Sequence, residues 1–95
     1  MACYGIFDVE VTDPALYETY KAGTEASIKA AGGKYIVRGG ETELLEGEPS
    51  PHRIIILEFP TKAAFDAWYH GAEYAKSLPI RLKSARTRAF SVVGV

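Results

Sequence analysis

From about Ala2 to Val11 the chain alternates. Cys3, Phe7, Val9 and Val11 share one face, with Gly5 between them, and Tyr4, Ile6, Asp8 and Glu10 share the other. Side chains of an extended strand project to its two faces in turn, so this period of two predicts a strand. The period then changes. Tyr17, Tyr20, Thr24, Ile28 and Ala31 recur every three or four residues, the stripe of a helix with one buried side. Asp13 is placed to cap it, Pro14 suits its first position, and Gly32-Gly33 ends it.

A short strand follows, about Lys34 to Arg38, broken by Gly39-Gly40. Glu41 to Pro51 is acidic and punctuated by Gly47, Pro49 and Pro51, which predicts a loop with a short extended piece around Thr42 to Leu45. His52 to Phe59 is the strongest strand. Ile54 and Ile56 point one way and Ile55, Leu57 and Phe59 the other, so both faces need covering. Thr61 opens a second helix whose inner side carries Ala64, Phe65, Trp68 and Tyr69. The helix pauses near His70-Gly71, a short helical turn covers Ala72 to Leu78 with Pro79 ending it, and a last strand runs from about Thr87 to Val93.

The order is β-α-β-β-α-β, an α+β arrangement. Two right-handed crossovers and a hairpin give a ferredoxin-like sheet with both helices on one face. The helices cover only one side of the apolar central strand. A second copy of the same sheet is the simplest cover for the other, which predicts a homodimer through the sheet face.

At 95 residues one domain, 1–95, is expected, burying roughly 60–65% of its unfolded surface. Net charge is -1, so no long-range field draws the chain to nucleic acid or to a membrane surface. The charge is uneven. Glu41, Glu43, Glu46 and Glu48 crowd one segment, while Lys76, Arg81, Lys83, Arg86 and Arg88 follow Glu73 without an acid among them. Cys3 is the only cysteine, so no intrachain disulfide can form. With no signal-peptide pattern and no run of ~20 apolar residues, a cytoplasmic location is expected by default.

Several residues could carry chemistry. Arg38, Trp68, Tyr69, Tyr74 and Arg81, with Tyr17 and Tyr20 on the facing helix, combine aromatic walls with guanidinium groups, which is how a pocket for a small anionic or aromatic metabolite is built. The competing reading packs the aromatics as core and pairs Arg38 and Arg81 with Glu58, Glu73 or Asp8. Asp8, His52 and Tyr74 are the candidates for moving protons. Against this, Asp8 could instead pair with Arg53 or Arg38. Asp66, His70 and Glu73 would align on a continuous helix but include one imidazole, a weak metal-ligand row. No metal and no cofactor is expected, and no phosphate-binding glycine loop is present. The alternative to a metabolite pocket with cofactor-independent acid–base chemistry is a non-catalytic ligand-binding or protein-interaction homodimer, with the acidic Glu41–Glu48 segment as the handle for a partner.

Read together, Tyr4, Val11-Thr12-Asp13-Pro14, Tyr17, Tyr20, Gly32-Gly33-Lys34-Tyr35, Arg38-Gly39-Gly40, Glu46-Gly47, Arg53, Glu58-Phe59-Pro60, Trp68-Tyr69, Glu73-Tyr74 and Arg81 fall in an order and spacing that resembles the domain of unknown function 1330 family. Gly71 stands where that pattern has Ser. The resemblance implies a dimeric α+β barrel, two ferredoxin-like sheets face to face, and it implies no activity. Wider relatives of that fold include cofactor-free monooxygenases, isomerases, haem-dependent enzymes and ligand-sensing domains.

Overall fold

A computed structural model describes residues 1–95. The chain runs β1 (Cys3–Val11), α1 (Pro14–Ala30), β2 (Lys34–Arg38), β3 (Arg53–Phe59), α2 (Lys62–Tyr69), α3 (Ala72–Ser84) and β4 (Ala85–Val93). The strands form one antiparallel sheet in the order β2-β3-β1-β4. β1 and the strongly apolar β3 are therefore central, as the β-α-β-β-α-β order predicts. Register places Phe7 opposite Ile55 and Ala89, and Val9 opposite Arg53 and Thr87.

All helices lie on one side. Cys3, Phe7 and Val9 of β1 and Ile55, Leu57 and Phe59 of β3 face them and are buried, with Tyr17, Tyr20 and Ile28 of α1, Phe65 and Trp68 of α2 and Tyr74 of α3. The aromatic residues meet mostly edge-on or tilted, as in Phe59 against Phe65 and Phe7 against Trp68. The free thiol of Cys3 is wholly buried where β1 lies between Phe59 of β3 and Val93 of β4.

The opposite side carries no helix. Tyr4, Ile6, Ile54 and Ile56 lie there half-buried, with Phe90 and Val92 exposed beside them. Around this apolar centre the charges are matched across strands. Glu10 meets Arg86 at 3.4 Å, Lys34 meets Glu58 at 3.1 Å, and Asp8 stands opposite Arg88.

The caps follow the sequence. The Asp13 carboxylate accepts from Leu16 N–H at 3.1 Å, and the Thr61 hydroxyl accepts from Ala64 N–H at 3.1 Å. The break between α2 and α3 falls at His70-Gly71, where a Cβ on Gly71 would run into the Ala67 carbonyl oxygen unless the backbone shifted.

Two expectations are corrected. Pro79 does not end α3, which continues to Ser84, and β4 begins at Ala85 rather than Thr87. A proline inside a helix frees the carbonyl four residues back, here Ala75. Ala75 and Pro79 are both exposed, so that carbonyl stays in water, while the inner stripe of Tyr74, Ser77, Arg81 and Ser84 holds the helix together by burial. The Ser84 carbonyl also accepts from the N–H groups of Thr12 and Asp13 at 2.8 and 3.0 Å, tying the end of α3 to the start of α1. Thr42 to Leu45 form no strand: the whole link between β2 and β3 is irregular, and its glutamates are exposed and unpaired.

Candidate functional site

A cavity of about 30 Å³ lies between α1, α3 and the helix-facing side of the sheet. By size it holds about two water molecules. Phe7, Val9, Ile55 and Leu57 form its floor, Ile28 and Trp68 close it from the helices, and Tyr17, Tyr20 and Tyr35 wall it. Its polar lining is one-sided in charge: Lys21, Arg38, Arg53 and Arg81 reach it and no carboxylate does.

Each cation arrives by a different route. Arg38 owes its place to a bulge. Strict alternation would put Tyr35 and Arg38 on opposite faces of β2, but the register slips between Tyr35 and Val37, so Tyr35 pairs with Leu57 and Arg38 with Ile55, both on the helix side. The Arg38 guanidinium covers the Tyr35 ring at 4.3 Å and meets Glu25 at 3.2 Å, partly in solvent. Arg53 begins β3 with the parity of Ile55 and Leu57 and so turns under the helices. Its guanidinium packs against Gly39, whose missing Cβ makes room: a Cβ there would run into Nη1. Arg81 comes from the part of α3 beyond Pro79. It is 5% exposed, lies 5.6 Å over the Phe7 ring, and donates from Nη1 to the Tyr74 hydroxyl at 3.0 Å. Lys21 is held outward by Glu18 at 2.9 Å.

Arg53 and Arg81 are in none of the ion pairs of the molecule. Their Nε groups are buried without an acceptor, as is the Thr24 hydroxyl on the same cavity wall. From the wall inward, the Tyr20 hydroxyl meets that of Tyr74 at 2.8 Å, and the Trp68 indole donates to Ser27 Oγ at 3.0 Å. Burial raises the tyrosine hydroxyls. Tyr35 is pushed up to about 12 by loss of water, against the opposing pull of Arg38. Tyr17 rises for the same reason, and Tyr74 rises furthest, from burial and then the neighbouring Tyr20. These phenols stay neutral across the ordinary pH range.

The structure thus gathers Tyr20, Arg38, Trp68 and Arg81 around one cavity and leaves Tyr69 and Tyr74 off its surface. Tyr74 stands in the layer behind, and Tyr69 stacks on Phe65 at 5.9 Å. Asp8 and His52 lie on the open face, where Asp8 accepts from the His52 backbone N–H at 2.9 Å. Neither Arg53 nor Arg38 can pair with Asp8, because both project from the other side of the sheet; Glu58 goes to Lys34 and Glu73 to Lys76. The row Asp66, His70 and Glu73 is broken at Gly71, Asp66 pairs with Lys62, and no cluster of metal-ligating side chains forms. Tyr17, placed beside Tyr20 on the facing helix by the sequence, also lines it, and Tyr35, Lys21, Thr24 and Arg53 complete the cavity without having been singled out for it. For Arg53 the signal was present in the parity of β3.

The model of the family described as Domain of unknown function (DUF1330) matches residues 2–95. The chain belongs to the DUF1330 family. Among solved structures, this DUF1330 chain is similar to RPA0582, a protein of unknown function from Rhodopseudomonas palustris, with TM-score 0.79 and 18% identity over 99% of this chain and 82% of that one. A dimeric ferredoxin-like protein of unknown function from Jannaschia sp. CCS1 gives TM-score 0.67 and 13% identity, covering 99% and 100%. SnoaB, a cofactor-independent oxygenase from Streptomyces nogalater, gives 0.64 and 16%, covering 99% and 91%. At these identities the likeness is one of fold, and the fold is ferredoxin-like. No curated protein matches the chain. No helix is long and apolar enough to cross a membrane.

Proposed function

We propose that this DUF1330 chain, a single domain, binds a compact anion, a carboxylate or similar oxyanion, in the cavity between α1, α3 and the sheet. The observation that carries the reading is Arg81, a cation 5% exposed with no acidic partner. A buried charge stripped of its partner costs about 3–5 kcal/mol, and an arriving anion recovers much of that. Water is a poorer guest, because each molecule brings two hydrogens to a wall whose charged groups are all donors. Binding is favoured over proton transfer: the cavity has no carboxylate and no imidazole, and Asp8 and His52 are across the sheet. In a thermal-shift titration with formate, acetate and nitrate at constant ionic strength, the wild type gains stability with ligand concentration and Arg81→Met does not. An equal gain in both would leave only a general salt effect and remove the reading.

The chain pairs with a second copy through the open face. Support comes from the uncovered apolar strip of Ile6, Ile54, Ile56 and Phe90, from its rim of both signs, and from the dimeric ferredoxin-like relative from Jannaschia sp. CCS1. A two-fold axis through such a rim can set Glu10 and Asp8 of one copy against Arg86 and Arg88 of the other. Light scattering of the eluting protein should give twice the 10.4 kDa chain mass; a monomer at micromolar concentration would remove the dimer.

A further inference from the structure

The Tyr20 and Tyr74 hydroxyls lie 2.8 Å apart, and either oxygen could donate to the other. Their surroundings settle the direction. Arg81 Nη1 donates to the Tyr74 oxygen at 3.0 Å. Tyr74 is 0% exposed, and its hydroxyl meets no third polar atom. Were Tyr20 the donor, the Tyr74 oxygen would accept twice and its own hydrogen would be stranded in a dry site, disfavouring that arrangement by on the order of tenfold or more. The chain therefore runs from Arg81 to Tyr74 to Tyr20. Tyr20, a residue of the cavity wall, accepts from Tyr74 and is left with a hydrogen of its own. Each bond in a row polarises the next, and this row starts at a cation.

We infer that Tyr20 is the specificity-determining residue of the anion site: its hydroxyl is locked as a donor toward the cavity, and the ligand class is a compact carboxylate whose oxygen takes that hydrogen beside the guanidinium groups. This rests on the anion-binding reading above. The direction matters because an ordinary tyrosine hydroxyl turns to donate or accept as its guest requires, whereas here Tyr74 supplies one hydrogen to the Tyr20 oxygen and leaves that of Tyr20 free to donate. The roughly two-water size of the cavity matches formate.

The test is formate affinity by calorimetry in wild type, Tyr20→Phe, Tyr74→Phe and Arg81→Met. Losing a hydrogen bond to a charged ligand should weaken formate about tenfold or more in Tyr20→Phe. Tyr74→Phe, which removes the same atom type from a more buried place but leaves Tyr20 its hydrogen, should weaken it only a few-fold. If Tyr20→Phe binds as wild type does, or Tyr74→Phe loses as much or more, the role of Tyr20 is refuted while loss in Arg81→Met keeps the anion site standing. If wild type takes no formate, both are refuted. A second measurement needs no variant: the Tyr20 hydroxyl proton, followed by NMR in the wild type, should move downfield as formate is added. A resonance that stays put while formate binds overturns the assignment.

Discussion

On the open face of the sheet nearly every charge stands across from its opposite: Glu10 from Arg86, Lys34 from Glu58, Asp8 from Arg88. On the covered face, one pleat away, Arg53 and Arg81 sit among aromatic rings with no acid in reach. Residues adjacent in sequence belong to these two regimes, since Arg53, Ile55 and Leu57 turn inward and Ile54 and Ile56 outward. Matched charge around an apolar centre suits a surface that meets a copy of itself. Unmatched charge of one sign beneath a hydrophobic lid suits a surface that waits for something small and negative. The same strand serves both because its period is two.

Substitutions at neighbouring positions should separate the two faces. The largest effect falls on the covered side: Leu57→Ala, at a residue 1% exposed, should cost about 2–5 kcal/mol and lower Tm in proportion, measured by calorimetry. One residue earlier, Ile56→Asp should leave the folded chain intact but weaken self-association by roughly a hundredfold or more, seen as a shift to monomer mass in light scattering. If Ile56→Asp instead unfolds the chain without passing through a folded monomer, the two faces are not independent. Arg81→Met should separate stability from binding. With an unpaired buried cation gone, the ligand-free protein should melt no lower than wild type, yet anions should no longer raise its Tm; a lower melting temperature without ligand would mean that the bond to Tyr74 outweighs the charge. The smallest effect is alkaline. Tyr17, Tyr35 and Tyr74 are all raised by burial, so the unfolded chain loses these protons first. Their contribution to stability is intact below the unfolded value near 10 and fades as pH climbs toward the folded value of about 12 for Tyr35. Denaturant melts from pH 9 to pH 12, with the fall confined to the upper part, check this.

Much of the architecture was legible because alternation and helical spacing are local signals: the order of elements, the caps at Asp13 and Thr61, the break at Gly71 and the central place of β3 all follow from them. The site was legible in part. Arg38, Trp68, Tyr20 and Arg81 were recognised by residue type, yet two of them reach the cavity through features that sequence pattern hides. The bulge in β2 changes the face on which Arg38 lies, and no residue there announces it. Pro79 reads as a stop, and only the burial of Tyr74, Ser77, Arg81 and Ser84 on the far side of the helix explains why α3 continues. Arg53 was weighed only as a partner for Asp8. At the end of a strand a charge is expected to turn to solvent, and the glycine that lets it fold inward, Gly39, belongs to another strand's end.

Cys3 gives the molecule a built-in gauge. Its sulfur is sealed between the sheet and the helices, so an alkylating reagent can reach it only when the helical layer lifts or the chain unfolds. Where reclosing outpaces the reagent, the labelling rate divided by that of a free thiol gives the population of opened molecules directly. A ligand under the helices should slow that rate by the factor with which it holds the helical layer down, and a second copy across the open face by the factor with which it opposes unfolding. One thiol thereby reads occupancy on both sides of the sheet without a probe being added to either.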